Sequence, residues 1–265
     1  AAIAVELARR GHPVRLSTTD PAAHITAAIG TQVSGLEVGR IDPVAETQKY
    51  TMKVQAKAAP HLDARGQALL EEDLRSPCTE EIAVFRAFAE TVAEGGAGFV
   101  VLDTAPTGHT LLLLDAAESY HRDILRTASD MPEAVRNLLP RLRDPDFTRV
   151  LLVTLPEATP VHEAARLQDD LLRAGITPFA WVINQGFWGT AFLDPLLVER
   201  GMREFPYIAE VRDRFSRRLA FIPWQAELPV GVQGLRAIIE ASVSSPPFTE
   251  TVPAGVAASS YGSGE

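Results

Sequence analysis

Apolar positions along the 265-residue chain follow two periods, and the order in which these alternate points to a fold class. Residues 1–10, AAIAVELARR, carry apolar side chains at helical spacing and are followed by Gly11, a residue suited to ending a helix. Residues 14–18, VRLST, then read as a strand. Helix, glycine and strand in that order belong to a βαβ unit whose first strand is missing. With no initiator Met, capping residue or signal-peptide n-region ahead of the helix, the chain reads as truncated at its N-terminus. Further strand-type runs occupy 99–104, 150–155, 179–184 and 219–223, separated by helical spacing at 158–173, closed by Gly175, and at 198–218. Alternating strands and helices predict an α/β fold with a mostly parallel sheet covered by helices on both faces.

The interval 43–98 is rich in Ala, Leu, Glu and Gln and predicts a helical insertion rather than a separate domain. It contains one break. Pro77 disfavours helix at Ser76, while Thr79 with Glu81 and the apolar Ile82, Val84, Phe85 and Phe88 signal a new helix starting just after Cys78. From Ser242 the composition turns to Ser, Pro, Gly and Ala, so one domain is expected over 1–242, with a disordered tail over 243–265.

Composition narrows the functional classes. With 46% hydrophobic residues the chain can bury a large core. A net charge of −9 without any Lys/Arg run argues against nucleic acid as a partner, since phosphate neutralisation needs clustered cations. No apolar run approaches the roughly 18 residues of a membrane span, so direct membrane insertion is not expected. A single cysteine, Cys78, cannot form an internal disulfide, which fits a reducing cytoplasm.

Two predicted strands end in acids: RLSTTDPAAH delivers Asp20, and VVLDTAPTGH delivers Asp103. A nucleoside triphosphatase needs one such acid to orient the attacking water and a second to hold the water shell of Mg²⁺. A strand-end Asp also commonly caps a loop or helix. The G-x-x-x-x-G-K-[ST] loop that cradles phosphates does not occur in the sequence; it would lie between the missing first strand and the helix at residue 1.

The segments STTDPAAH, LLEEDLRSPCTEEIAVF, VVLDTAPTGHTLLLLDA, LLVTLPEATPVHEAARLQ and WVIN resemble the arsenical pump-driving ATPases, over roughly residues 1–241. The chain is most similar to the C-terminal half of the tandem form of that family, entered just after its P-loop. The resemblance implies a P-loop NTPase-like sheet lacking its first strand and P-loop, and an ATPase that energises arsenite and antimonite efflux with metalloid-stimulated hydrolysis. It also implies that this chain alone, without a P-loop, is inactive.

Residue by residue, the resemblance implies that Asp20 positions the attacking water and Asp103 lies on the Mg²⁺ side. Asn184 would read the adenine amide edge, with Pro223 in the adenine-flanking loop. A carboxamide can both donate to and accept from adenine, although an Asn at this place also suits a plain turn. Ser76, Cys78 and His109 would bind As(III) or Sb(III) as an allosteric ligand. A thiolate suits a soft, thiophilic ion, whereas a lone Cys is otherwise often a small buried hydrophobe. One cysteine cannot complete a three-coordinate site, so the remaining ligands are expected from a homologous ATPase half, in tandem or as a dimer. A membrane arsenite carrier is the other expected partner, which would make the protein cytoplasmic and peripheral to the inner membrane.

The path from Asp103 to His109 spans up to about 20 Å when extended, so the two need not share a ligand. Thr104, Thr107 and Gly108 are therefore read as a loop coupling the nucleotide to the metalloid. One departure from the family is Leu112, where Arg often follows the GHT motif, which puts a salt link from that position in doubt. Two other readings remain. A tail-anchored-protein targeting ATPase calls for a Met-rich groove and, in its eukaryotic form, a C-x-x-C zinc pair, against three Met and one Cys here. A non-catalytic nucleotide-binding regulatory half is the other.

Overall fold

A computed structural model describes residues 1–20, 24–104, 132–190 and 193–243. Strand β1 (Val14–Thr18) lies between β2 (Leu36–Arg40) and β3 (Phe99–Asp103) in a parallel sheet of order β2–β1–β3. Strands β4 (Leu151–Thr154), β5 (Ala180–Gly186) and β6 (Leu219–Pro223) form a second parallel sheet of order β4–β5–β6. Val14, Leu16, Ser17 and Thr18 of β1 are all buried, as expected for a central parallel strand covered on both faces. Among the described residues β3 and β4 are each paired along one edge only, and Val153 of β4 is 62% exposed.

Helix α1 (Ala2–Arg9) buries Ala4, Val5 and Ala8 while Glu6 pairs with Arg9 and Arg10 on its outer side. Gly11 turns the chain at φ +89° into β1. The α1 face packs with Leu16, with Ile25 and Ile29 of α2 (Ile25–Ile29), and with Leu235 of α9 (Gly231–Val243). Because α9 also contacts β6, it joins the first sheet's helices to the second sheet.

The interval 43–98 is helical, as its composition predicts. It holds α3 (Pro43–Ala58), a 3₁₀ turn (Ala59–His61), α4 (Ala64–Asp73) and α5 (Pro77–Glu94), then leads into β3. The Asp63 side chain caps α4 by accepting the Gly66 N–H at 2.7 Å. α5 buries Val84, Phe85 and Phe88 against Val135 and Leu138 of α6 (Glu133–Arg143). The break falls slightly earlier than the sequence suggests. Ser76 is extended and Pro77 opens α5, because a proline at the first helical position is already set to helical φ and needs no N–H donor. Cys78 is thus the second residue of the helix. Thr79, read as a helix start, instead donates its hydroxyl back to the Asp73 carbonyl at 2.9 Å.

The largest core cluster surrounds β5. Trp181 and Ile183 pack with Leu152 of β4, with Val161 and Leu171 of α7 (Ala158–Arg173), with Ile208 of α8 (Pro195–Glu210), and with Phe221. The Trp181 Nε1–H donates to Gln168 at 2.7 Å. The helix expected over 198–218 starts at Pro195, capped by Asp194, and gives way to a π turn at Val211–Phe215. Helix α9 runs through Val243, and residues 244–265 lie outside the described ones. None of the described helices is long and apolar enough to cross a membrane.

Candidate functional site

Parallel strands bring their C-terminal ends to one edge, where ligands bind in open α/β sheets. In the first sheet Thr18 and Asp103 are register partners, and the Thr19 N–H donates to the Asp103 carbonyl at 3.1 Å. The buried Thr18 side chain accepts the Asp20 N–H at 3.0 Å, which fixes the turn that carries Asp20. Both acids singled out in the sequence therefore leave one pair of adjacent strand ends, with Asp103 exposed and Asp20 partly buried. Helix α1 packs against both of these strands. Two carboxylates leaving adjacent strand ends can hold a hydrated cation beside a phosphate. Their hard oxygen donors suit Mg²⁺, which keeps much of its water shell.

At the second sheet, Asn184 lies near the end of β5 and Pro223 at the end of β6, with Gly186 the register partner of Pro223. The Trp224 N–H donates to the Gly186 carbonyl at 2.9 Å, binding the two strand ends together. Next to them is a cavity of about 240 Å³ lined by Glu157, Gln185, Phe187, Arg200, Glu204 and Trp224, among others. Asn184 and Pro223 do not line it, but their chain neighbours Gln185 and Trp224 do. Phe187 stacks on Trp224 with ring centroids 5.5 Å apart, and Arg200 lies 5.0 Å over the Phe187 ring while pairing with Glu157 at 3.1 Å.

Glu204 is the residue that the sequence reading missed. It is 4% exposed, and its Oε2 accepts the N–H groups of Phe187 at 2.7 Å and Trp188 at 3.1 Å. Burial raises its pKa above the ordinary value; the two N–H donors and Arg200 oppose that rise, and Glu157 adds to it. A signal was available. Gly201, Glu204 and Ile208 share the buried stripe of α8, and an acid on such a stripe needs a partner to be tolerated there.

The predicted metalloid ligands are only partly placed. Ser76 and Cys78 sit together at the start of α5, where Cys78 is exposed as a free thiol. His109, with Thr107 and Gly108 of the coupling loop, lies outside the described residues, whereas Thr104 is exposed just past β3. Among the described residues no group of three or more His, Cys, Asp or Glu gathers into a metal site.

The chain is 49% identical over 239 residues to an arsenical pump-driving ATPase of Escherichia coli, a match covering 90% of this chain and 41% of that protein. It is 27% identical to a putative arsenical pump-driving ATPase of Aquifex aeolicus, covering 89% of this chain and 91% of that one. To the ATPase GET3C of Arabidopsis thaliana it is 26% identical, covering 70% and 62%. It therefore spans about two fifths of the length of its more similar relatives. The family model for anion-transporting ATPases matches residues 1–128 and 113–242, and the chain belongs to that family.

Proposed function

We propose that the full-length protein hydrolyses ATP to energise efflux of arsenite or antimonite, with hydrolysis stimulated by the metalloid. The observation that carries this reading is the pairing of Thr18 with Asp103, which brings two acid-bearing strand ends together at one edge of the sheet. The similarity to proteins named arsenical pump-driving ATPases supports the choice of substrate.

In this reading Asp20 orients the water that attacks the γ-phosphorus, and Asp103 holds the water shell of Mg²⁺, which neutralises charge on the phosphates. Asn184 reads the adenine edge and Pro223 flanks the base. Cys78, with Ser76 and His109, binds As(III) or Sb(III) through its thiolate, and Thr104, Thr107 and Gly108 couple that site to Asp103. A homologous ATPase half supplies the remaining metalloid ligands. The protein works in the cytoplasm, docked on a carrier in the inner membrane.

ATPase activity of the full-length protein with and without antimonite tests the proposal. Stimulation in the wild type and its loss in Cys78→Ser is the expected result. Equal stimulation in both would remove Cys78 from the ligand set, and no hydrolysis in the wild type would overturn the reading as a whole.

A further inference from the structure

Strands β5 and β6 pair as Ile183 with Phe221, and the next recorded partners are Gly186 and Pro223. Asn184 and Gln185 therefore face Ile222 alone, a bulge that re-aims the side chains at the strand end. Gln185 adopts φ +57°, which is unfavourable for a residue with a side chain. A Cβ at Gly186 would lie 2.3 Å from the Phe221 ring, so any substitute there forces that packed ring to shift. Immediately behind the bulge, the buried Glu204 carboxylate takes both the Phe187 and Trp188 N–H groups. Gly201 lets α8 come close enough for this, since a Cβ there would lie 3.1 Å from the Phe187 backbone.

Two unfavourable features thus meet in one turn, a left-handed glutamine and a buried acid. A turn serving only to connect β5 with α8 needs neither: glycine in place of Gln185 and a neutral acceptor in place of Glu204 would do. Strain of this kind persists at sites where the exact placing of a side chain matters. The side chain placed by this turn is Asn184, and the Phe187–Trp224 stack with the Trp224 to Gly186 hydrogen bond carries the same constraint to Pro223. We infer that Glu204 is a positioning residue for base recognition: it clamps the turn after β5 and so aims Asn184 and Pro223 at the base of the nucleotide. This rests on the nucleotide-binding reading above.

The test is steady-state kinetics of the full-length protein with ATP and GTP. Glu204→Ala should raise the KM for ATP about tenfold and lower the preference for ATP over GTP by a similar factor, with kcat within about twofold. Glu204→Gln keeps an oxygen acceptor for both N–H groups and should stay within about threefold of wild type in both measures. Should Glu204→Ala fail to fold by circular dichroism, Glu204→Asp, with its carboxylate drawn back by one methylene, should show the same two changes. Unchanged base preference in a folded Ala or Asp variant would overturn the inference and leave Glu204 as a cap of the turn. A wild type that does not bind a fluorescent ATP analogue would instead overturn the nucleotide reading, a result that the Glu204 variants alone cannot produce.

Discussion

Thr18 and Asp103 face each other at the ends of β1 and β3, and Thr18 spends its hydroxyl oxygen on the amide of Asp20. One buried threonine thereby ties the two candidate acids into a single geometry. Thr18→Val keeps shape and burial but removes the acceptor. Stability should fall by about 1 kcal/mol in a urea titration, and kcat should fall with little change in the KM for ATP. A variant with wild-type kcat would mean that Asp20 does not need this hydrogen bond.

Direct replacement of the proposed water-orienting acid should be more severe. Asp20→Asn should lower kcat by about 10²-fold or more while the protein still binds an ATP analogue. Loss of binding together with kcat would move Asp20 from chemistry to nucleotide holding.

Gly186→Ala should destabilise the fold by about 1–3 kcal/mol, because the new methyl meets a ring packed in the largest core cluster. The urea midpoint measures this. An unshifted midpoint would show that Phe221 can move aside freely.

Glu204 also predicts a dependence on pH. Its folded-state pKa lies above the ordinary value, so its contribution to stability is full below the unfolded pKa and is lost as pH rises through the folded one. The stability of Glu204→Gln relative to wild type should therefore improve as pH is raised from about 4 to neutrality. Arg200 lowers and Glu157 raises the pKa of that carboxylate, and both effects are already contained in the net rise. A difference that stays flat with pH, or moves the other way, would contradict the assigned direction.

Cys78 is exposed in the native fold and is the only cysteine in the sequence. One thiol per chain should react with a thiol reagent without denaturant, and antimonite should slow that reaction. Labelling only after unfolding would contradict the exposure, and labelling unaffected by antimonite would contradict the ligand role.

The strands that carry candidate acids were legible because their signals are local. An unbroken apolar run ending in Asp, as in FVVLD, needs only its own residues to be read as a strand, and the helices between Pro43 and Glu94 announce themselves by composition. Other elements were not legible. LEVGR of β2 mixes Gly with two charges, and ITAAI of α2 is too short to show a period. EAVRNLLPRLR of α6 carries Pro140 inside the helix, a residue that usually argues against one. Each of these is decided by what packs against it.

The sequence by itself determined the alternation of strands and helices, the acids at two strand ends, the place of Cys78 beside a helix start, and the family. These follow from periodicity, turn chemistry and motif, which act over a few residues. Only the tertiary structure decided that β3 pairs with β1, so that Asp103 comes beside Thr18 and Asp20. It alone placed Glu204 of α8 beneath the Phe187 and Trp188 amides. Strand order and the burial of a charge depend on partners distant in the chain, and local propensity carries no information about which partner arrives.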